Sequence, residues 1–253
     1  MNIIMIGGEN MKIKIINPNT TDSMTQSIFD AAMTVARPDT EIIAVSPDKG
    51  PVSIENFHDE YASIIGVMEE VHKGIEEKFD AYIIACYGDP GLYAAREIVD
   101  VPVIGIAEAS IHLATMVASK FSIVTVIPRI KLLIEEVVQK YGLADRCASI
   151  RTTDMSVLDF ETDPNRGMLE LARESQKAIE EDGAEAICLG CAGMVKFADD
   201  LEKKLGVPVF DGVTAAVKIA EALVDLNKKT SKIMSFKYPE KKRYIGFSDI
   251  LQP

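Results

Sequence analysis

Two cysteines occupy matching places in the two halves of this chain. Cys86 follows the apolar run Ala81-Tyr82-Ile83-Ile84-Ala85 and precedes Tyr87-Gly88-Asp89-Pro90-Gly91, while Cys191 follows Ala186-Ile187-Cys188-Leu189-Gly190 and precedes Ala192-Gly193-Met194. Each thiol therefore stands where a predicted strand gives way to a glycine-containing turn and then a helix. The tripeptide Val-Pro-Val returns downstream of each, at Val101-Pro102-Val103 and Val207-Pro208-Val209, so the halves are offset by 105 residues at the cysteines and 106 at the tripeptides. Self-similarity at a fixed offset marks a duplicated unit. Two such lobes packed face to face about a pseudo-twofold axis bring their strand-end loops into one cleft, with a thiol on each wall. Two like groups flanking one substrate suit proton exchange at a single carbon, with one thiolate as base and one thiol as acid.

The residues around each thiol fit that chemistry. A helix predicted to start near Pro90 directs free N–H groups and its positive end toward Cys86, an arrangement that lowers a thiol pKa toward neutrality. Glycine beside each sulfur lets backbone amides approach a ligand and hold a carbonyl oxygen as charge develops on it. Tyr87, Gly88, Asp89, Ala192 and Gly193 are therefore candidate substrate contacts. Asn17-Pro18-Asn19-Thr20 ends the first predicted strand and has the composition of a capped turn. Its position equally makes Asn17 and Asn19 ligand contacts, and Asn19 offers a neutral amide that both donates and accepts. Thr125, near the end of the strand predicted over Phe121 to Val126, joins this set.

Other chemistries find less support. Cys188-Leu189-Gly190-Cys191 has the spacing of a redox C-x-x-C, but Cys188 falls inside an apolar run instead of beyond the strand end. Cys147 has no partner pattern and reads as structural. His58, His72 and His112 all lie away from both cysteine motifs, so a Cys/His hydrolase lacks its base and zinc lacks its ligands. No phosphate-binding glycine loop follows a strand. With 253 residues, 26% of them charged, and a formal net charge of −12, the chain is an ordinary globular protein with neither nucleic acid nor an anionic membrane as its expected partner. Residues 1 to 8 are too short and too weakly basic for a signal peptide, so free thiols in the cytoplasm are expected. Met11 precedes the first convincing strand, which makes residues 1 to 10 an optional extension.

The elements that must position the cysteines alternate. Strands are predicted at Lys12 to Ile16, Glu41 to Ser46, Ala81 to Cys86 and Pro102 to Ile106. The second half repeats them at Phe121 to Val126, Cys147 to Thr152, Glu185 to Gly190 and Val207 to Phe210. Helical patterns lie between them, the clearest being Glu60 to Lys78, Ile130 to Tyr141 and Arg166 to Glu181. The expected fold class is α/β, with two pseudo-symmetric lobes, each a mainly four-stranded parallel sheet flanked by helices and the site in the cleft between them. The first lobe is assigned residues 1–107 plus 214–253, because a helix at Thr214 to Asn227 is expected to pack back on it; the second is assigned 108–213. Ligands in such folds gather at the carboxyl ends of the strands, where both cysteines and the Asn-Pro-Asn turn lie.

With these residues identified, the chain resembles the aspartate/glutamate racemase superfamily, and within it the hydantoin racemase branch that includes allantoin racemases. The resemblance runs from about Met11 into the C-terminal tail. It is carried by Ile16-Asn17-Pro18-Asn19-Thr20, Ala85-Cys86-Tyr87-Gly88-Asp89-Pro90-Gly91-Leu92, Leu189-Gly190-Cys191-Ala192-Gly193-Met194 and Asp211-Gly212-Val213. It implies a cofactor-independent racemisation with Cys86 and Cys191 as the two acid–base groups. Glutamate-type members follow the first cysteine with Asn-Thr and the second with Thr-His; Tyr87-Gly88 and Ala192-Gly193 replace those pairs here, which argues against a free amino acid. A neutral cyclic ureide is also the easier carbon acid, since no carboxylate opposes the developing enolate. In related sequences an aromatic residue stands at the place of Tyr87, which makes it a candidate contact for the substituent on the ring. The resulting expectation is a cytoplasmic, homo-oligomeric racemase of 5-substituted hydantoins or of a ureide such as allantoin, with a small molecule as its partner. The alternatives are a racemase or isomerase of another small acid and a catalytically silent small-molecule binding protein.

Overall fold

The computed structural model of the chain describes residues 10–247 and 249–251. Apart from Asn10, the proposed extension lies outside the described residues. The first half runs β1 (Met11–Ile16), α1 (Asp22–Val35), β2 (Thr40–Val45), α2 (Phe57–Glu77), β3 (Ala81–Ile84), α3 (Leu92–Ile98), β4 (Val103–Gly105) and α4 (Ile106–Val117). The second runs β5 (Phe121–Thr125), α5 (Lys131–Lys140), β6 (Cys147–Thr152), α6 (Asp159–Thr162), α7 (Pro164–Asp182), β7 (Ala186–Leu189), α8 (Ala198–Leu205) and β8 (Val209–Phe210), with α9 (Gly212–Asp225) closing the regular structure. Two four-stranded parallel sheets result, ordered β2-β1-β3-β4 and β6-β5-β7-β8. The architecture is the two-lobed α/β fold expected from the sequence.

Local chemistry explains most boundaries. The Asn56 side chain accepts from the Asp59 N–H at 3.1 Å and starts α2, and Asp163 does the same for α7 from Arg166 at 3.1 Å, with Pro164 at the first helical position. Gly183, at φ +75°, ends α7 in the left-handed conformation that glycine adopts without cost. Met24, Ile28 and Ala32 repeat every four residues and bury one face of α1. The central strands are buried on both faces, as parallel strands between helices must be. One charged residue is buried in them: Lys14 of β1 is 2% exposed, and its Nζ donates to the Glu70 carbonyl at 2.9 Å and lies 3.2 Å from the Glu70 carboxylate. An unpaired ammonium there would be prohibitively costly, so the strand tolerates lysine only because α2 supplies both partners.

Helix α4 was not assigned from the sequence, because its Ala-rich start runs on from β4 without a turn signal. It packs against β4 and also against β5, β7 and β8 of the other sheet, while α9 packs on α1, α4, β1, β3 and β4. The two sheets are thus tied through a shared helical layer. Among the described residues no helix is long and apolar enough to cross a membrane.

The strand order decides where the site falls. In each sheet the chain moves outward from its first strand to its second, then returns to place its third on the other side of the first. The crevice beyond the carboxyl ends of β1 and β3, and of β5 and β7, is the switch point at which ligands bind in open α/β sheets. Both switch points carry the same closing hydrogen bond: Ala85 N–H to the Ile16 carbonyl at 2.8 Å, and Gly190 N–H to the Val124 carbonyl at 2.8 Å.

Candidate active site

Cys86 lies two residues past the end of β3 and Cys191 two past the end of β7, and both line one cavity between the lobes. That cavity is small, about 40 Å³, enough for only a few waters. Asn19, Cys86 and Gly88 line it from the first lobe; Thr125, Gly190, Cys191 and Ala192 line it from the second. Its remaining wall is apolar, with Ile130 just before α5, Leu133 and Ile134 in its first turn, and Ile54 and Val157 from two loops.

The two cysteine turns are built alike. The Cys86 carbonyl accepts from the Asp89 N–H at 2.9 Å, and the Cys191 carbonyl accepts from the Met194 N–H at 3.1 Å. In each turn the N–H two residues beyond the cysteine donates to its sulfur, Gly88 to Cys86 and Gly193 to Cys191. The duplicated unit therefore supplies each thiol with the same single backbone donor.

Burial nevertheless sets the thiol acidities. Both cysteines are only partly exposed. Burial pushes Cys86 well above the ordinary thiol range; the Gly88 N–H opposes this, and negative charge at Cys191, Glu60 and Asp89 adds to it. Burial raises Cys191 to about 11, against the Gly193 N–H, with Glu55 and Glu161 adding to the rise. The sequence-based expectation of a lowered pKa at Cys86 is thereby overturned. Helix α3 starts at Leu92, not Pro90, and has only seven residues, and the backbone donor to the sulfur is Gly88, ahead of that helix. Desolvation outweighs that one donor. A thiolate formed in such a place is a strong base, which suits removal of a proton from carbon. Iodoacetamide labelling followed by peptide mass spectrometry is expected to show Cys191 reacting at lower pH than Cys86, both rates rising through the alkaline range. Faster labelling of Cys86 at neutral pH would contradict this order.

The remaining candidates divide into those at the wall and those behind it. Asn19 lines the cavity, but as a donor only: its Oδ1 accepts from Asn17 Nδ2 at 3.0 Å and from the Thr21 N–H at 2.9 Å, while its Nδ2 meets only the Met24 sulfur at 3.1 Å. A thioether is a weak acceptor, so that amide remains ready for a better one. Asn17 stands behind Asn19 and spends its own amide on Asn19 and on Thr25 Oγ1 at 2.9 Å. Thr125 lines the wall, and its hydroxyl donates to the Gly190 carbonyl at 2.8 Å, tying β5 to the Cys191 turn. Gly190 has no room for a side chain there, since a Cβ would lie 2.6 Å from the Thr125 Cβ.

Tyr87 touches the cavity, yet its hydroxyl is buried 2.8 Å from Ser110 Oγ on α4 and is not offered to a ligand. Asp89 and Gly193 do not line the cavity. Asp89 adopts φ +49° and turns its carboxylate away, accepting from the Ala107 N–H at 3.1 Å, the Glu108 N–H at 3.0 Å and the Tyr141 hydroxyl at 2.6 Å. It caps α4 and anchors the Cys86 turn instead of meeting substrate. Gly105 makes this cap possible, because the Asp89 carboxyl fills the space a side chain there would take. Burial lifts the Asp89 carboxyl to about 7 despite those three donors.

Three features were missed in the sequence. Ile130, Leu133 and Ile134 have the spacing of any core-facing helical stripe, and Ile54 and Val157 sit in loops with no pattern. Glu60 is a buried acid, 9% exposed, near the start of α2. No imidazole lines the cavity. Among the described residues no three or more His, Cys, Asp or Glu side chains gather as a metal ion would need.

The family model for Asp/Glu/hydantoin racemases matches residues 13–220, a span that holds both cysteines and both switch points. The chain belongs to that family. It is a racemase, and hence an isomerase. It is 62% identical over 236 residues to a hydantoin racemase of Pseudomonas sp. (strain NS671), covering 93% of this chain and 95% of that protein. It is 45% identical to a hydantoin racemase of Rhizobium meliloti, covering 93% and 98% respectively. Among solved structures, allantoin racemase from Klebsiella pneumoniae superposes with a TM-score of 0.94 at 45% identity, covering 96% of this chain and 99% of that one. Glutamate racemase from Francisella tularensis, at 19% identity and a TM-score of 0.61, shares the fold.

Proposed function

We propose that this racemase inverts the ring stereocentre of 5-substituted hydantoins by a two-cysteine, cofactor-independent proton transfer. The thiolate of one cysteine takes the proton from the ring carbon, and the C–H electron pair moves into an enolate whose oxygen carries the charge. The thiol of the other cysteine then protonates the opposite face. The electrons return to carbon, the second sulfur is left as thiolate, and nothing is oxidised or reduced. The Asn19 amide is the side-chain donor at the wall free to receive the enolate oxygen. The observation that carries this reading is the pairing of Cys86 and Cys191 in one cavity, each at the end of the equivalent strand and each with the same N–H on its sulfur.

The walls favour an alkyl-substituted hydantoin over allantoin. A ureido group needs hydrogen-bond partners, whereas Ile54, Ile130, Leu133, Ile134 and Val157 offer only apolar surface, and burying each methylene of a substituent there contributes about 0.8 kcal/mol. Deuterium exchange from solvent into single enantiomers of 5-alkyl hydantoins, allantoin, aspartate and glutamate is the test. Exchange is expected fastest with the alkyl hydantoins and absent with the amino acids. Exchange confined to aspartate or glutamate would remove the hydantoin assignment.

Cofactor independence has its own check. Racemisation is expected to survive exhaustive chelation and dialysis and to be lost on thiol alkylation. Activity that disappears with the chelator and returns with an added metal would defeat this part of the mechanism.

A further inference from the structure

The two cysteine turns match in their hydrogen bonds and differ in what is packed against them. A Cβ built on Gly88 would lie 2.8 Å from Glu60 Oε1 and 3.2 Å from the Glu60 carboxyl carbon, so the missing side chain of Gly88 leaves the space that Glu60 fills. On the other wall, a Cβ built on Gly193 would meet only the Cys191 sulfur at 3.7 Å and the Met24 Cε at 3.8 Å. An acid is therefore seated on the backbone beside one thiol and not beside the other. Glu55 and Glu161 also bear on Cys191, but neither is seated against its turn: within 4 Å of a Gly193 Cβ there is no carboxylate, and Glu55 accepts from the Val157 N–H at 2.9 Å and Glu161 from the Ser23 hydroxyl at 2.8 Å.

The Glu60 carboxylate makes no hydrogen bond and no ion pair within 4 Å among the described residues. The side chain is largely buried while its oxygens keep contact with solvent, and an apolar side chain would serve the packing of α2 better. The groups facing it are Lys140 and Glu136 from α5, Asp89 from the turn after β3, and Cys86. Burial lifts Glu60 to about 7, with Lys140 working against the rise and Glu136 and Asp89 adding to it. The carboxyl consequently changes charge in the neutral range, next to the donor that holds the Cys86 sulfur.

We propose that Glu60 is a positioning residue of the reaction: its carboxylate, seated against the Gly88 backbone beside the Cys86 sulfur, makes Cys86 the harder thiol to ionise, so that when the pair loses a proton the negative charge falls on Cys191. This rests on the two-cysteine reading. A racemase of that kind needs one thiol and one thiolate at the start of each turnover, and two identical turns would leave the choice between them undecided. Glu60 breaks the symmetry. It makes Cys191 the first of the pair to become a base and favours the enantiomer whose ring proton faces that sulfur.

The test is labelling of the full-length protein with iodoacetamide across pH, read at Cys86 and Cys191 separately by peptide mass spectrometry, in the unsubstituted protein, Glu60→Gln and Glu60→Asp. Glu60→Gln keeps the shape and removes the charge. Above about pH 7, where Glu60 is charged, and below both thiol midpoints, Cys86 is expected to label about tenfold faster in Glu60→Gln, the effect of about one pKa unit, while Cys191 labels no faster. Glu60→Asp, whose charge is retracted by one methylene, is expected to fall between the two; it carries the same comparison if Gln does not fold. In kinetics, the acid limb of kcat/KM moves to lower pH for one enantiomer alone. Equal acceleration at both cysteines, or none at Cys86 at any pH, overturns the proposal. Labelling is read without turnover and so stands apart from the mechanism beneath it: full racemisation by Cys86→Ser would overturn the two-cysteine reading, whatever the labelling shows.

Discussion

Cys86→Ser and Cys191→Ser are each expected to lower racemisation by on the order of 10²–10⁴-fold, the contribution typical of a positioned acid or base, whereas Cys188→Ser keeps most of the activity. A serine hydroxyl is a far weaker acid than a thiol, and in a cavity that already raises both thiols it would supply neither the base nor the proton. Cys188 is different because it is inside β7, fully buried beside Tyr87 and Ser110, and does not line the cavity. A serine there gains hydroxyl partners and costs only some stability. Each catalytic variant retains one thiol, so in deuterated buffer the two are expected to wash deuterium into opposite enantiomers without inverting them. Incorporation into the same enantiomer by both variants would break the assignment of one cysteine to each face. Loss of activity in well-folded Cys188→Ser would return attention to the C-x-x-C spacing.

Asp89→Ala is expected to be the most damaging single change to stability near the site. It removes the acceptor of three buried hydrogen bonds, leaving the Ala107 and Glu108 N–H groups and the Tyr141 hydroxyl unpaired, and places alanine at φ +49°. Each unpaired buried donor costs about 1–3 kcal/mol and the left-handed backbone about 1–2 kcal/mol more. Partial relaxation and water entry keep the net loss near about 4 kcal/mol, a fall in Tm of roughly 10 °C for a chain of this size. Asp89→Asn retains one acceptor oxygen and tolerates the backbone, so it should lie between. Thermal and urea denaturation decide the matter, and a loss below about 1 kcal/mol in Asp89→Ala would show that the cap carries little. Activity should suffer too, because the Asp89 carboxylate ties the turn that carries Cys86 to the start of α4 and to Tyr141.

The neighbourhood of Asp89 also marks how far the sequence could be followed. The doubled α/β unit, its eight strands, most of its helices and the place of both cysteines at strand ends were legible there. These depend on local causes: apolar runs of strand length, glycine and proline at turns, and side chains that cap the next helix. Strand ends were misplaced by a residue or two, and α4 was unassigned because nothing interrupts the chain between Gly105 and Ile106.

The site divides along the same line. That Cys86, Cys191, Asn19 and Thr125 meet follows from the order of strands, which the repeated pattern already implied. Which atoms they present was settled by packing between segments far apart in the chain. Asn19 became a donor because Asn17 and Thr21 occupy its oxygen, and Asp89 turned from the cavity because the start of α4 and Tyr141 offered it three donors. The thiols are weaker acids than usual because the second lobe closes over the first, and desolvation is a property of everything that surrounds a group and not of its neighbours in sequence. Glu60 is the plainest case. Twenty-six residues separate it from Cys86 along the chain, and only the approach of α2 to a glycine without a side chain brings its charge to the sulfur.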